Sequence, residues 1–340
     1  NSIEEICSLL LEASPRSILP RGLGRSYGDA ALLNNFEIID LKNFNSIEID
    51  QSSQTVNVGG GVSFDNLLKA IVPLGFFVPV TAGTKFITVG GAIAADIHGK
   101  NHHKSGSFGN FVEEILLVNG EGKLLTLTPD GKGEEEIKNF FWNTVGGMGL
   151  TGIIVKAKFR LVPIESSLIS VFTQKFNSLE LLMDSMKESD SKYSYSVSWV
   201  DSFDENHRGI MTCGEHTLFE DLPESKKNNP FSYESKSKPS APSLLPSGLI
   251  NKFTIKAFNE AWFRKSPRLK YDEIQSIENY FYPLDGISNW NRIYGSRGFL
   301  QYQFVVPDEA KEIVKYVLDS LKQNGIGSFL TVLKRFGKPN

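Results

Sequence analysis

The sequence is poor in cysteine. Only Cys7 and Cys213 occur in 340 residues, far apart and in no metal-type or redox-type spacing. That pattern argues against a disulfide framework and a thiolate metal centre and fits a reducing compartment. Long apolar runs are also lacking, since nothing approaches the roughly 20 residues of a membrane span. Nor is there an excess of one charge: 36 basic residues face 39 acidic ones, for a net charge of −3. No basic footprint for nucleic acid results. The opening NSIEEICSLLLEASPRS is acidic and amphipathic, unlike a signal peptide. The chain starts without methionine and so reads as a fragment at that end. Internal repeats are absent. At 40% hydrophobic and 22% charged residues the composition is that of an ordinary globular protein, and the length suits about two domains.

What is present begins with short β-type runs. FEIIDL (36–41) and TVNVGG (55–60) read as strands. SFDNLLKAIVPL (63–74) reads as a helix with Ser63 as N-cap, Asp65 in the first turn and Gly75 as terminator. FFVPV (76–80) reads as a returning strand. The span 112–128 is two apolar runs joined by NGEGK, a hairpin pattern, and GIIVKAKFRLVPI (152–164) is an alternating strand. Further on, 179–188 reads as a helix and YSYSVSWVD (193–201) as an alternating strand. Residues 222–248, dense in Ser, Lys and Pro, are too long for an ordinary connection. They form either a disordered insertion or a lid over a site. FLQYQFVV (299–306) reads as a strand. The run 308–325 reads as a helix with Ala310, Ile313, Val314, Val317, Leu318 and Leu321 on one face, ended by Gly325. GSFLTVLKRF (327–336) reads as a final strand.

Three glycine-rich segments concentrate the chemistry. PRGLGRSYGD (20–29) is a tight turn able to wrap an anion, or a plain turn; it is not G-x-G-x-x-G. VTAGTKFITVGGAIAADIHGKNHH (80–103) carries hydroxyls at Thr84 and Thr88 and almost no side-chain bulk from Gly90 to Ala95. A flat or extended ligand can lie on such a backbone, and a helix starting there would aim N–H groups at a pyrophosphate. A tightly packed buried turn needs small residues equally. TVGGMGLTG (144–152) repeats the device before a strand. Residues 96–103, DIHGKNHH, hold three of the five histidines. A zinc site would need ligands on one face. His98 and His102 have helical spacing, but Gly99 is a poor helix residue and no Cys or Glu stands nearby. A polar loop, its side chains hydrogen-bonded internally, is the plainer reading for His102 and His103.

The order of these motifs, with DIHGKNHH followed by SGSFGN, closely resembles the PCMH-type FAD-binding domain of the vanillyl-alcohol-oxidase-like flavoproteins. Within that family the chain is most similar to the flavin subunits of ribose-to-arabinose epimerases that serve cell-wall arabinan biosynthesis. The likeness runs on through 193–201, NKFT (251–254), WFRKS (262–266), 289–304 and LKRFG (333–337). It implies an α+β fold: an FAD-binding domain over 1–162 and an α+β substrate-binding domain on an antiparallel sheet over 163–340, truncated at its C-terminus. It implies an FAD-dependent oxidoreductase that converts the 2′-hydroxyl of a polyprenyl-phosphoryl ribose to a ketone. A nicotinamide-dependent reductase partner, peripheral contact with a membrane, and a location in the cytoplasm or at the inner membrane follow from the same resemblance. An oxidase of a soluble sugar, alditol or aldonolactone is the alternative, and a catalytically silent flavin-fold binding protein a third reading.

Residue by residue, the resemblance assigns FAD contacts to Arg21, Gly22, Leu23, Gly24, Arg25, Ser26, Tyr27 and Gly28. It extends them to Gly83, Thr84, Thr88, Gly90, Gly91 and Ala92, to Asp96, His98, Gly99, Asn101 and His102, and to Gly149, Thr151, Gly152 and Ile154. Related oxidases that bind flavin covalently carry histidine where Arg25 stands, so noncovalent FAD is expected. For chemistry, His98 has the ordinary pKa closest to neutrality and suits a general base. Lys100 and Lys334 are cations for a sugar hydroxylate or phosphodiester. Tyr27, Trp199, Gln301 and Gln303 match pocket positions, and on a strand Gln301 and Gln303 would share a face. Phe281 stands where the family has tyrosine, and Val197 where it has serine.

Overall fold

The structure, a computed structural model, describes residues 2–12, 18–235, 239–242 and 248–338. The chain is α+β and divides into two compact units. The first comprises residues 1–167, 218–235 and 338–340; the second comprises 168–217 and 236–337. The stretch expected as insertion or lid is therefore shared out. Residues up to 235 belong with the first unit, while 236–238 and 243–247 lie outside the described residues.

The first unit is built on a five-stranded antiparallel sheet, ordered Ile47–Asp50, Thr55–Gly59, Gly152–Arg160, Val112–Asn119, Leu124–Leu127. A parallel pair, Ile18–Arg21 with Glu37–Asp40, lies outside it. Ile153, Ile154 and Val155 are buried in succession. Simple alternation fails here because both faces are covered. Ile6 of the Ile3–Glu12 helix packs in one cluster with Ile153 and Val155, and the Val89–Ala94 helix covers the other face. The expected 63–74 helix forms as Phe64–Ile71 plus a 3-10 turn, Val72–Leu74. The Ser63 hydroxyl accepts from the Asn66 N–H, and Gly75 closes it at φ +81°. Only Phe76–Phe77 of the expected 76–80 strand pairs, because Pro79 has no N–H to donate.

The second unit has its own five-stranded antiparallel sheet, ordered Leu269–Ser276, Leu168–Phe176, Gly209–His216, Tyr195–Val200, Val332–Leu333. The Leu179–Ser189 and Glu312–Gln323 helices cover one face through Leu182, Met186, Val314 and Leu318 against Val200, Met211 and Cys213. Ile313, expected on the buried face of the later helix, is instead 41% exposed. Burial pushes the Cys213 thiol up to about 11, which leaves it an inert packing group.

Two expected strands do not form as read. Residues 299–306 adopt no strand, and of 327–336 only Val332–Leu333 pairs. Alternation supplies a face but no ladder partner, and among the described residues 299–306 have none.

Candidate functional site

The three glycine-rich segments converge on one short helix, Val89–Ala94. Glycine disfavours helix, yet Val89, Ala92 and Ile93 are buried and fix the segment by packing. Thr88 caps it, its hydroxyl accepting from Gly91 N–H at 3.2 Å. Gly22 brings the first glycine turn against Thr88 so closely that a Cβ would collide with the threonine hydroxyl. At the other end, the Gly146 N–H donates to Ile93 O at 3.0 Å and the Met148 N–H to Ala94 O at 2.8 Å. The third segment thus caps the carbonyl end.

One expectation is corrected. The N–H groups that begin this helix do not point outward for a pyrophosphate. Val89 donates to Val62 O and Gly90 to Gly60 O, both at 2.9 Å, and Gly91 donates to Thr88. The residues that take them up were missed in the sequence. Gly60 accepts at the end of Thr55–Gly59, and a Cβ there would collide with the Ile154 carbonyl. The GGG run at 59–61 was the available signal.

The glycines sort by what demands them. Gly22, Gly60 and Gly90 are required by close packing, with a Cβ on Gly90 lying 3.0 Å from Gly60 O. Gly24, Gly28, Gly149 and Gly152 have left-handed φ values from +60° to +150°. Gly83 is demanded by neither, since a Cβ there meets nothing within 4 Å and its φ is not left-handed. Gly91 meets only its capping threonine, at 3.1 Å. Bare backbone left open where the fold does not require it fits a flat or extended cofactor lying against the chain. Leu23, Tyr27, Met148 and Leu150 in the adjoining turns are exposed and apolar in body, and Leu150 is 91% exposed.

Around this cradle the other expected residues take definite places. Arg21 lays its guanidinium beside Gly24, and Arg25 stands over the Phe86 ring at 5.7 Å. Ser26 and Gly28 are exposed. Thr84 Oγ1 accepts from Phe86 N–H at 3.2 Å, and the Thr144 hydroxyl donates to Thr151 at 3.0 Å. Partial desolvation raises the Tyr27 hydroxyl, keeping it a proton donor at neutral pH.

Asp96 staples the histidine segment, accepting from Ser107 Oγ at 2.6 Å and Gly109 N–H at 2.8 Å. His98 forms an isolated bridge with Ser107, and its ring stands edge-on to His102 at 6.4 Å. Asn101 donates to Pro79 O at 2.8 Å, and a Cβ on Gly99 would meet Thr81 O at 2.9 Å. Asn101 and His102 are buried, whereas His98 and Lys100 are partly exposed. Among the described residues no three His, Cys, Asp or Glu side chains gather to hold a metal ion.

A second missed residue is Lys85, only 2% exposed between Thr84 and Phe86. Its Nζ lies 2.9 Å from Asp65 Oδ1 and 2.7 Å from Ser235 Oγ. Burial opposes the Asp65 carboxylate, but Lys69, Lys85 and Ser235 together hold its pKa below the ordinary value. The pair fastens the 83–88 loop to the Phe64–Ile71 helix.

In the second unit, register gathers three expected pocket residues. Trp199 pairs with Val332 on the face opposite the two helices, and Lys334 follows that two-residue strand directly. Tyr195 lies on that face, and Phe281, 2% exposed, packs edge-on against it at 4.8 Å. The Trp199 indole donates to Phe329 O at 2.9 Å. Desolvation pulls Lys334 down to about 8. Gln301 and Gln303 are exposed and joined side chain to side chain at 3.2 Å; they sit on no strand, contrary to the alternation reading.

A family model described as FAD binding domain matches residues 1–128. The chain is 40% identical over 334 residues to the decaprenylphosphoryl-beta-D-ribose oxidase of Mycolicibacterium smegmatis, covering 97% of this chain and 72% of that protein. The chain belongs to this oxidase family. It is also 27% identical over 291 residues to an uncharacterised protein of Streptomyces coelicolor, covering 81% of this chain and 75% of the other. With an FAD-linked oxidoreductase of Pyricularia oryzae it shares 29% identity over 143 residues, 42% of this chain and 26% of that one. The protein is an FAD-dependent oxidoreductase, and the convergent glycine turns of its first unit are residues suited to that cofactor. Among the described residues no helix is long and apolar enough to cross a membrane.

Proposed function

We propose that this protein oxidises the 2′-hydroxyl of a polyprenyl-phosphoryl-β-D-ribose to the 2′-ketone, the first half of an epimerisation towards arabinose donors for cell-wall arabinan. The observation that carries this reading is similarity over 97% of the chain to an oxidase named for that class of substrate, spanning both units. The first unit is assigned to FAD and the second to the substrate.

Bound FAD supplies the two-electron acceptor for the hydride on the alcohol carbon. The protein holds it noncovalently, Arg25 standing where a covalent histidine would be. Gly83 and Gly91 offer bare backbone, and the turns at 22–28 and 146–149 bracket the Val89–Ala94 helix. His98 takes the 2′-hydroxyl proton on a ring nitrogen, from a segment that Asp96 and Asn101 hold in place. Lys100 and Lys334 stabilise anionic oxygens, and Tyr27 donates from its phenol. Trp199, Gln301 and Gln303 bind sugar and lipid, and the buried Phe281 backs the sheet face through Tyr195. A nicotinamide-dependent reductase takes up the ketone. The enzyme works in the cytoplasm or peripherally at the inner membrane, where a lipid-linked substrate resides.

Purified full-length enzyme should oxidise polyprenyl-phosphoryl ribose with loss of the flavin band near 450 nm. Turnover of free alditols in its place would sink the reading. Yellow colour retained in an acid-precipitated pellet would overturn noncovalent binding.

A further inference from the structure

We propose that three aromatic side chains of the second unit, Phe329, Phe258 and Trp262, form the track along which the isoprenoid tail of the substrate leaves the sugar-binding face. This inference rests on the lipid-linked substrate proposed above.

The rings form a continuous path. Phe258 stacks on Trp262 with ring centroids 6.1 Å apart and planes 7° apart. Phe329 meets Phe258 edge-on at 5.6 Å. Phe329 is backed by Tyr294 at 6.0 Å, which in turn packs on Phe299 at 4.6 Å. The inner end of the path is tied to the candidate pocket, because the Phe329 carbonyl accepts the indole N–H of Trp199. Its outer end is open: Phe258 is 46% exposed and Trp262 45%.

Folding alone does not account for these rings. Phe258 and Trp262 sit on the Lys252–Lys265 helix, whose buried residues are Ile255 and Asn259. Phe258 and Trp262 are one helical turn apart, so they present adjacent faces along a single line. Exposed, stacked aromatics without a core role mark a binding surface.

The shape selects the occupant. Phe329, Phe258 and Trp262 follow one another as a line of rings, which suits a linear apolar chain with planar alkene units. A bilayer would seat on a broad face, and a stable self-association needs about 800 Å² per partner. Charge agrees with this choice. Lys334 lies two residues beyond Val332, the ladder partner of Trp199, and the phosphodiester that joins tail to sugar requires a cation.

The test compares a short-chain with a long-chain prenyl-phosphoryl ribose, both dispersed in detergent, on the full-length enzyme. W262A and F258A should lower the long-to-short ratio of kcat/KM by about ten-fold, through KM. W262F, which keeps a ring, should restore the ratio. Equal loss on both substrates, or no loss, overturns the track. So does a variant that fails to pellet with anionic vesicles while its chain-length ratio is intact, which would assign the rings to a bilayer. So too does a loss of any self-association of the wild type with that ratio intact, which would assign them to a second copy. If the wild type oxidises neither substrate, the functional reading falls first, and the track with it.

Discussion

In the first unit the surface open to a ligand is backbone: Gly83 leaves side-chain space empty beside a helix whose own leading N–H groups are already bonded. In the second unit it is side chain: Trp199 stands off a sheet whose other face is packed by helices, and the Phe258–Trp262 stack stands exposed on the Lys252–Lys265 helix. Under the proposed function the difference follows from what each would hold. A rigid, flat cofactor can be met by a surface shaped in advance from main chain, and any added Cβ alters it. A sugar with a flexible tail needs directional donors at one end and broad apolar contact along the other. Stability is arranged accordingly. The first unit locks its loop with the buried Lys85–Asp65 pair, while the second leaves Leu300 100% exposed.

The largest expected effect separates chemistry from binding. His98→Ala should lower kcat by about 10²–10⁴-fold while the flavin spectrum stays that of the bound cofactor. A loss under ten-fold would remove His98 from proton transfer. Next come two glycine substitutions that differ only in what the added methyl meets. Gly60→Ala drives a Cβ into the Ile154 carbonyl and should destabilise the fold by about 1–3 kcal/mol in thermal unfolding. Gly83→Ala meets nothing within 4 Å and should leave the apoprotein's melting temperature alone, yet weaken FAD binding about ten-fold by fluorescence titration. Equal behaviour of the two variants would erase the distinction between glycines kept for folding and glycines kept for the cofactor.

Lys334 tests the second unit. Its folded pKa of about 8 lies below the ordinary 10.5, so the native state gives up its proton first. Below pH 8 both folded and unfolded states carry the charge, and the desolvation cost is present in full. It is relieved as pH rises from about 8 towards 10.5. The cation proposed to attract an anionic substrate disappears over the same range. KM for the phosphodiester should therefore rise through pH 8 in the wild type and stay flat in Lys334→Arg. A flat wild-type profile would detach Lys334 from the substrate. The smallest effect is local. Ser63→Ala removes the acceptor for Asn66 N–H and should cost about 1 kcal/mol in denaturant unfolding without changing KM.

How far the sequence could be read also differs between the units. The Phe64–Ile71 helix, its cap and its glycine stop were legible, because capping depends on residues a few positions apart. The 112–128 hairpin was legible for the same reason. The strand read at 299–306 was not formed, since a strand is defined by its neighbour as much as by its own alternation. Lys85 was passed over because its partner Asp65 lies twenty residues away, at no spacing a local rule recognises.

By itself the sequence determined the cofactor class, the three glycine turns and the residue types offered for proton transfer, all of which are written in short contiguous motifs. Only the tertiary structure decided that those turns meet on one helix, that Gly60 closes that helix's amide end, and that Trp199 pairs with Val332. The physical reason is range. Caps, turns and backbone freedom act within a few residues, whereas close packing and strand register are set between segments that only the folded chain brings together.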